Sequence, residues 1–124
     1  MSRTFELTAR IRSFKYAFTG IWTMLRSQHN AWLHLLATIL VITAGFYFKL
    51  SPIEWSLIVL AIMAVWTAEA LNTAFEFLAD VTNPEFHPLV KKSKDVAAGG
   101  VLISAFGAAI IAILIIGPRV CSLF

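Results

Sequence analysis

Charge and cysteine are both scarce in this sequence. Of its 124 residues, 14% are charged and 59% are hydrophobic, whereas a soluble domain carries about a quarter charged residues. A chain of this length has room for one small domain, and its apolar excess predicts that this domain is embedded in lipid. The single cysteine, Cys121, excludes an intramolecular disulfide and a metal site built from cysteines alone.

Several sequence signals of known catalytic sites are also absent. The chain has no GxxxxGK[ST] phosphate loop, no kinase-type GxGxxG and no HExxH zinc motif. The pair Gly99-Gly100 is too short to bind phosphate by itself, and helix packing is its expected use. The N-terminus is not predicted to be a cleavable signal, because no apolar core and small-residue cleavage site follow a basic start.

The hydrophobic pattern predicts a single all-α integral membrane domain over residues 1–124. It consists of an amphipathic surface helix over about residues 3–27 and three transmembrane helices over about residues 31–48, 52–80 and 96–116. The first of these spans has 18 residues and would reach about 27 Å, close to the roughly 30 Å thickness of the hydrocarbon layer.

The proposed surface helix carries apolar residues at helical spacing, with basic residues on its other face. The apolar positions are Leu7, Ile11, Phe14, Phe18, Ile21 and Leu25. This pattern suits a helix that lies in the membrane interface. A helix that packs on its own protein would show the same pattern, and the two interpretations are compatible.

The start of the second span is marked by Ser51-Pro52-Ile53-Glu54. Ser51 can cap the helix, Pro52 suits its first position, and Glu54 completes a capping box. The start of the third span has two possible positions. It lies either at about residue 96 or at Pro88, which would place the residues before 96 on a helix that projects into water.

Basic residues indicate how the chain is oriented. Five precede the first span and three lie between the second and third, whereas Lys49 and Arg119 are the two on the other side. The positive-inside rule therefore places the N-terminus and the second connector in the cytoplasm. Gly117 and Pro118 are expected to end the third span.

Four polar residues near the end of the second span form the main candidate site. Glu69, Asn72, Glu76 and Asp80 follow one another at spacings of three, four and four, which places them on one stripe of a helix. Ionisable groups in membrane helices are costly and usually mark a function. Asp80 could alternatively belong to the wetted tip of the span. His34, the only ionisable residue of the first span, is either a hydrogen-bonded helix residue or part of the site.

The polar stripe lies at the same membrane boundary as the basic connector. Carboxylates and phosphate oxygens hold Mg²⁺, lysines offset phosphate charge, and a carboxylate can deprotonate an attacking hydroxyl. The combination predicts phosphoryl transfer to a lipid. A transporter or proton channel could also use buried carboxylates but would need charges across the whole membrane, whereas these gather at one face.

Ordered motifs support this interpretation. They are Glu69-Ala-Leu-Asn72-Thr-Ala-Phe-Glu76 followed by Asp80, then His87-Pro88-Leu, then Lys94-Asp95-Val-Ala-Ala-Gly, with Ser13-Phe-Lys-Tyr-Ala-Phe-Thr-Gly20 on the surface helix. Over roughly residues 13–116 the chain resembles the prokaryotic diacylglycerol kinase family, which includes the undecaprenol kinases. The resemblance implies a homotrimeric kinase of the bacterial cytoplasmic (inner) membrane with active sites shared between subunits. It implies ATP as co-substrate, Mg²⁺ as cofactor and a membrane lipid alcohol, undecaprenol or diacylglycerol, as substrate; we expect no nucleic-acid partner.

The resemblance also implies roles for individual residues. Glu69 is expected to be the catalytic base that acts on the lipid hydroxyl, Asn72 an organiser beside it, and Glu76 a Mg²⁺ ligand that bridges to ATP. The positions expected to bind the nucleotide are Tyr16, Glu85, Phe86, His87, Lys94, Asp95 and a basic residue before Tyr16, either Arg10 or Arg12.

One position departs from the family pattern. Gln28 stands where a second metal-binding glutamate is expected, and an amide offers Mg²⁺ an oxygen without a charge. Either the metal is held more weakly, or Glu76 and ATP carry most of the coordination, or catalysis is impaired. The alternative function is therefore a non-catalytic membrane scaffold or lipid-binding protein of the same fold. His29-Asn30 and His34 resemble the undecaprenol kinase branch more than the diacylglycerol kinase branch.

Overall fold

The computed structural model describes residues 6–124, and this part of the chain is all-helical. It consists of α1 (Leu7–Ser27), α2 (His29–Tyr47), α3 (Pro52–Thr82) and α4 (Pro88–Cys121). The first residues of the predicted surface helix, including Arg3, lie outside the described residues.

Helices α2, α3 and α4 are each long and apolar enough to cross a membrane. Their large apolar side chains point mostly away from the protein; Leu60 and Leu114, for example, are 67% and 69% exposed. Such an apolar exterior needs lipid or another protein surface to cover it. The chain is therefore a multi-pass membrane protein with three spanning helices.

Helices α3 and α4 are longer than a bilayer requires. Their 31 and 34 residues correspond to about 46 and 51 Å, against a hydrocarbon thickness of roughly 30 Å. They pack against each other as an antiparallel pair, joined by residues 83–87. The early start of α4 at Pro88 is the second of the two possibilities left by the sequence, and it puts Lys94 and Asp95 on a helix.

A single residue, Gln28, separates α1 from α2. Its extended backbone, with φ −117° and ψ 120°, ends one helix and begins the next. Along α1 the apolar residues are largely uncovered by the rest of the chain, with Leu7 at 65%, Phe14 at 68% and Phe18 at 69% exposure. Met24, near the end of α1, is buried at 4% exposure, so the junction is packed while the rest of α1 extends away.

The opposite end of the helical bundle is held by charged and polar contacts. The capping box predicted for α3 is confirmed: Ser51 Oγ accepts from the Glu54 amide at 3.2 Å, and Glu54 Oε1 accepts from the Ser51 amide at 3.1 Å. The same carboxylate accepts two hydrogen bonds from Arg119, at 2.6 and 2.8 Å. This bidentate pair joins the start of α3 to the end of α4.

The expectation that Gly117 and Pro118 end the last helix is wrong, because α4 continues to Cys121. Proline removes one helical hydrogen bond, and the next residue, Arg119, adds side-chain hydrogen bonds in the last turn. Its Nη1 donates to the carbonyl of Ile115 at 2.7 Å while the guanidinium binds the α3 carboxylate. The last turn is thus stabilised by the contact between Arg119 and Glu54. Sequence rules for helix ends consider only residues close in the chain and do not include such a contact.

Candidate active site

The polar stripe of α3 runs from the interior of the bundle to its surface. Helix α3 is continuous through Thr82, so the spacing of the four residues does place them along one side of one helix. Glu69 is 1% exposed and Asn72 is 7% exposed, whereas Glu76 is half-buried and Asp80 is exposed. The stripe therefore joins a buried carboxylate to a wetted one over three helical turns.

Glu69 lies in a cleft of about 350 Å³ between α2, α3 and α4. The cleft is lined by Asn30, Leu33, His34, Glu69, Asn72, Ala98, Val101, Leu102 and Ala105. Within residues 6–124, neither carboxylate oxygen of Glu69 has a hydrogen-bond partner, and Oδ1 of Asn72 has none. Buried polar atoms without partners are costly, and here they face a space that a ligand can fill.

The side chain of His34, on α2, approaches the Glu69 carboxylate. Its Nε2 lies 3.4 Å from Glu69 Oε2, which is just beyond ordinary hydrogen-bond length. The imidazole is 18% exposed and meets the Trp66 ring edge-on, with the centroids 6.3 Å apart. The structure therefore places His34 beside the buried carboxylate.

Glu76 is bound by the residue at the α1–α2 junction. The Nε2 of Gln28 donates to Glu76 Oε2 at 2.7 Å, so the two positions expected to hold metal are adjacent. In the described part of the chain, no cluster of three or more histidine, cysteine, aspartate or glutamate side chains could hold a metal ion. A carboxylate and an amide oxygen nevertheless suit Mg²⁺, which usually keeps several waters and takes only one or two protein carboxylates together with substrate phosphates.

Lys94 forms an ion pair with a residue of α3, and Asp95 forms one with a residue of its own helix, α4. Lys94 Nζ donates to Asp80 Oδ1 at 2.6 Å, and Lys91 Nζ donates to Asp95 Oδ2 at 2.7 Å. Asp80, which the sequence left as a possible wetted tip, is thus the α3 partner of the α4 lysine. No sequence pattern predicted this pair, because the contact between Asp80 and Lys94 depends on how the two helices align.

The connector residues Glu85, Phe86 and His87 are exposed, unlike the buried part of the stripe. Glu85 and Phe86 are exposed, Phe86 to 80%. His87 is the N-cap of α4, and its Nδ1 accepts from the Leu89 amide at 3.2 Å. Within residues 6–124, no side-chain hydrogen bond or ion pair joins these three to Glu69 or Glu76.

The two candidate nucleotide-binding residues of α1 lie toward the start of that helix. Arg10 and Tyr16 both precede Gln28 by more than three turns, and Tyr16 is 66% exposed. The structure therefore brings Gln28, His34, Glu69, Asn72 and Glu76 into one region, whereas Tyr16 lies on an open surface of the chain.

Comparison with known proteins identifies the family of this chain. The model of the family "Prokaryotic diacylglycerol kinase" matches residues 15–116. An undecaprenol kinase of Bacillus subtilis (strain 168) is 40% identical over 114 residues, which cover 92% of this chain and 93% of that protein. A diacylglycerol kinase of Synechocystis sp. is 36% identical over 112 residues, covering 90% of this chain and 64% of its own length.

A diacylglycerol kinase of Helicobacter pylori (strain 26695) is 30% identical over 107 residues, covering 80% of this chain and 83% of its own length. The family match spans most of the chain, and it includes the whole polar stripe and the connector. This multi-pass membrane protein therefore belongs to the prokaryotic diacylglycerol kinase family of lipid kinases.

Proposed function

We propose that this protein transfers the γ-phosphoryl group of ATP to the hydroxyl of a membrane lipid alcohol, undecaprenol or diacylglycerol. The observation that carries the proposal is the buried Glu69 carboxylate, which has both oxygens unpartnered and faces a cleft between three membrane helices. A base in that position can take the proton of a hydroxyl that enters from the lipid. The products would be ADP and undecaprenyl phosphate or phosphatidic acid.

In this proposal Glu69 accepts the hydroxyl proton while the alcohol oxygen attacks the γ-phosphorus. The bond from the γ-phosphorus to the bridging oxygen breaks, and ADP leaves with that electron pair. Asn72, one helical turn along α3 and also in the cleft lining, would orient the hydroxyl by donating a hydrogen bond from its side-chain amide to the hydroxyl oxygen. Catalysis by these residues is mostly positioning and charge placement, as is usual for phosphoryl transfer.

The donor set at Glu76 supports Mg²⁺ carried in with ATP. Glu76 would hold the ion, and Gln28 would contribute its amide oxygen after a half-turn of the amide that now donates to Glu76. Bound there, Mg²⁺ would neutralise charge on the phosphates. Since Gln28 has no charge, Glu76 and the phosphates supply the negative charge of the site.

The nucleotide-binding residues would surround this position from α1, the connector and α4. Lys94 would exchange its bond to Asp80 for a phosphate oxygen, since lysine binds phosphate as a point charge. Asp95, Glu85, Phe86 and His87 would contact the rest of the nucleotide. Tyr16 and Arg10 lie on α1, and we propose that they reach the nucleotide within a homotrimer whose active sites are shared between subunits.

The apolar surfaces fit this assembly in a membrane. A crevice of about 170 Å³ shares His34 and Ala105 with the cleft and is lined by alanines of α2, α3 and α4, so a lipid chain can continue from the cleft. We propose that α1 lies in the interface of the bacterial inner membrane with the N-terminus in the cytoplasm. Similarity to the Bacillus undecaprenol kinase favours undecaprenol as the substrate.

The test is transfer of labelled γ-phosphate to undecaprenol and to diacylglycerol, measured side by side with protein in lipid nanodiscs. Glu69→Gln keeps the shape and removes the base, and we expect transfer to fall at least a hundredfold, the range of general base catalysis. The matched control is Glu54→Gln, the same change fifteen residues earlier on α3, about 22 Å away. Equal turnover of Glu69→Gln and wild type would exclude Glu69 as the base.

The second candidate is a non-catalytic membrane scaffold or lipid-binding protein, which the neutral Gln28 beside Glu76 favours. A Mg²⁺ titration separates the two functions. A wild-type protein that transfers no phosphate at any Mg²⁺ concentration, together with a Gln28→Glu variant that does, would support the scaffold. Turnover by the wild type supports the kinase.

A further inference from the structure

We propose that His34 is a positioning residue for Glu69: through Nε2–H it supplies the hydrogen-bond donor that keeps the Glu69 carboxylate ionised and directed into the cleft. This inference rests on the proposed function, in which Glu69 accepts the proton of the lipid hydroxyl. It assigns a role to the α2 helix, which otherwise contributes only lining to the site.

The geometry of the pair requires a proton between the two side chains. Glu69 Oε2 and His34 Nε2 are 3.4 Å apart, and the Glu69 side chain is 1% exposed. An ionised carboxylate facing the lone pair of a ring nitrogen at this distance would be two acceptors in contact. A proton on Nε2 makes the contact attractive, and a closure of a few tenths of an ångström brings it within hydrogen-bond length.

The cleft offers no other ionisable donor. From α4 it is lined by Ala98, Val101, Leu102 and Ala105, none of which is polar in its side chain. Among the described residues that line it, His34 and Glu69 are the ionisable ones. A buried carboxylate without a donor or a cation is strongly disfavoured, and the imidazole is the ionisable group placed to donate to Glu69.

Hydrogen bonds hold this part of α2 against α3. One turn further along α2, Thr38 donates to the His34 carbonyl at 2.7 Å and accepts from Trp66 Nε1 of α3 at 3.0 Å. The Trp66 ring also lies edge-on against the imidazole. These contacts fix the alignment of α2 on α3, so that His34 faces Glu69 before any ligand enters.

With the donor on Oε2, the second oxygen of Glu69 is left for the substrate. In the proposed reaction Oε1 takes the hydroxyl proton, while His34 keeps its own proton and changes only the strength of its hydrogen bond. His34 therefore neither gains nor loses a proton during the reaction. The residue acts through Glu69 and does not touch the reacting atoms.

The test compares His34→Leu, which removes the donor, with His34→Gln, which retains a neutral donor of similar reach. For His34→Leu we expect kcat to fall about tenfold to a hundredfold, the cost of a buried group left without its partner. KM for ATP should be unchanged. His34→Gln should recover most of kcat. His29→Gln, at the exposed start of the same helix, is the matched control and should behave as wild type.

Two outcomes would overturn the proposal in this assay. One is a His34→Leu variant that matches wild type in kcat. The other is an equal loss of kcat in His34→Gln and His34→Leu, which a packing role alone would produce.

A second measurement does not depend on turnover or on the folding of a His34 variant. In protein labelled with ¹⁵N-histidine, NMR should show His34 protonated on Nε2, and Glu69→Gln should shift its Nε2 signal while leaving His29 unchanged. A His34 signal that ignores Glu69→Gln overturns the proposed pair. Because this readout needs neither ATP nor lipid alcohol, it separates failure of the pair from failure of the kinase proposal.

Discussion

Gln28→Glu tests whether the end of α1 and the middle of α3 form one cation site. In the wild type, the amide of Gln28 donates to Glu76 Oε2 at 2.7 Å. The variant replaces this donor by a second carboxylate in the same place. Without a cation, an attractive contact between the two residues becomes a repulsive one.

The size of the effect follows from the distance and from the partial burial of Glu76. A hydrogen bond to a charged acceptor contributes about 1.5–3 kcal/mol. Two like charges about 4 Å apart repel by about 4 kcal/mol at an effective dielectric constant near 20. Because Glu76 is only half-buried, solvent screens part of this repulsion, and the pair can also share a proton. We expect the free energy of unfolding to fall by about 2–4 kcal/mol in EDTA.

Magnesium should reverse this loss. A cation at a concentration of a hundred times its Kd stabilises the folded state by about 2.7 kcal/mol, which is similar to the expected penalty. The assay is thermal unfolding followed by tryptophan fluorescence, in EDTA and across a Mg²⁺ titration. The wild type should respond less to Mg²⁺ than the variant does.

Gln28→Ala is the control for this experiment, because it loses the hydrogen bond without adding charge. It should be destabilised less than Gln28→Glu in EDTA, and Mg²⁺ should restore it less. If Gln28→Glu unfolds in EDTA at the wild-type temperature, the two side chains are not in contact. If it is destabilised but does not respond to Mg²⁺, the pair is not a cation site.

Three further substitutions test other parts of the structure. Arg119→Leu removes the bidentate partner of Glu54 and should lower the unfolding temperature while leaving kcat unchanged at low temperature; an unchanged melting curve would contradict the pairing. Gly45→Ala would place a Cβ 2.5 Å from the Trp55 indole and should cost about 1–3 kcal/mol as an overpacked contact, measured by thermal unfolding; full stability would show that α2 is not held there. Lys94→Ala should raise KM for ATP about tenfold without changing KM for the lipid, and equal effects on both would argue against a nucleotide role.

Local rules were sufficient for those parts of the fold that depend on neighbours in the chain. The capping box of Ser51 and Glu54 involves residues three positions apart, so a sequence motif contains the whole interaction. The three spanning helices follow from apolar runs, because a membrane helix satisfies its backbone hydrogen bonds within itself. The stripe from Glu69 to Asp80 follows from helical periodicity alone.

Where two local rules competed, the chain by itself left the answer open or gave the wrong one. Asp95 and Pro88 were both acceptable starts for the last helix, and His87 as N-cap with Pro88 at the first position is the arrangement found. Pro118 was expected to end that helix. It does not: the helix continues to Cys121, and the next residue, Arg119, is held by a carboxylate that lies far away in the sequence.

The sequence by itself determined the helices, their polar stripe and the family to which the chain belongs. The tertiary structure decided which side chains meet: Gln28 with Glu76, His34 with Glu69, and Lys94 with Asp80. The physical reason is that periodicity fixes a residue's direction on its own helix but not the rotation and shift of one helix against another. Those two quantities are set by packing, for example by the hydrogen bond between Trp66 and Thr38.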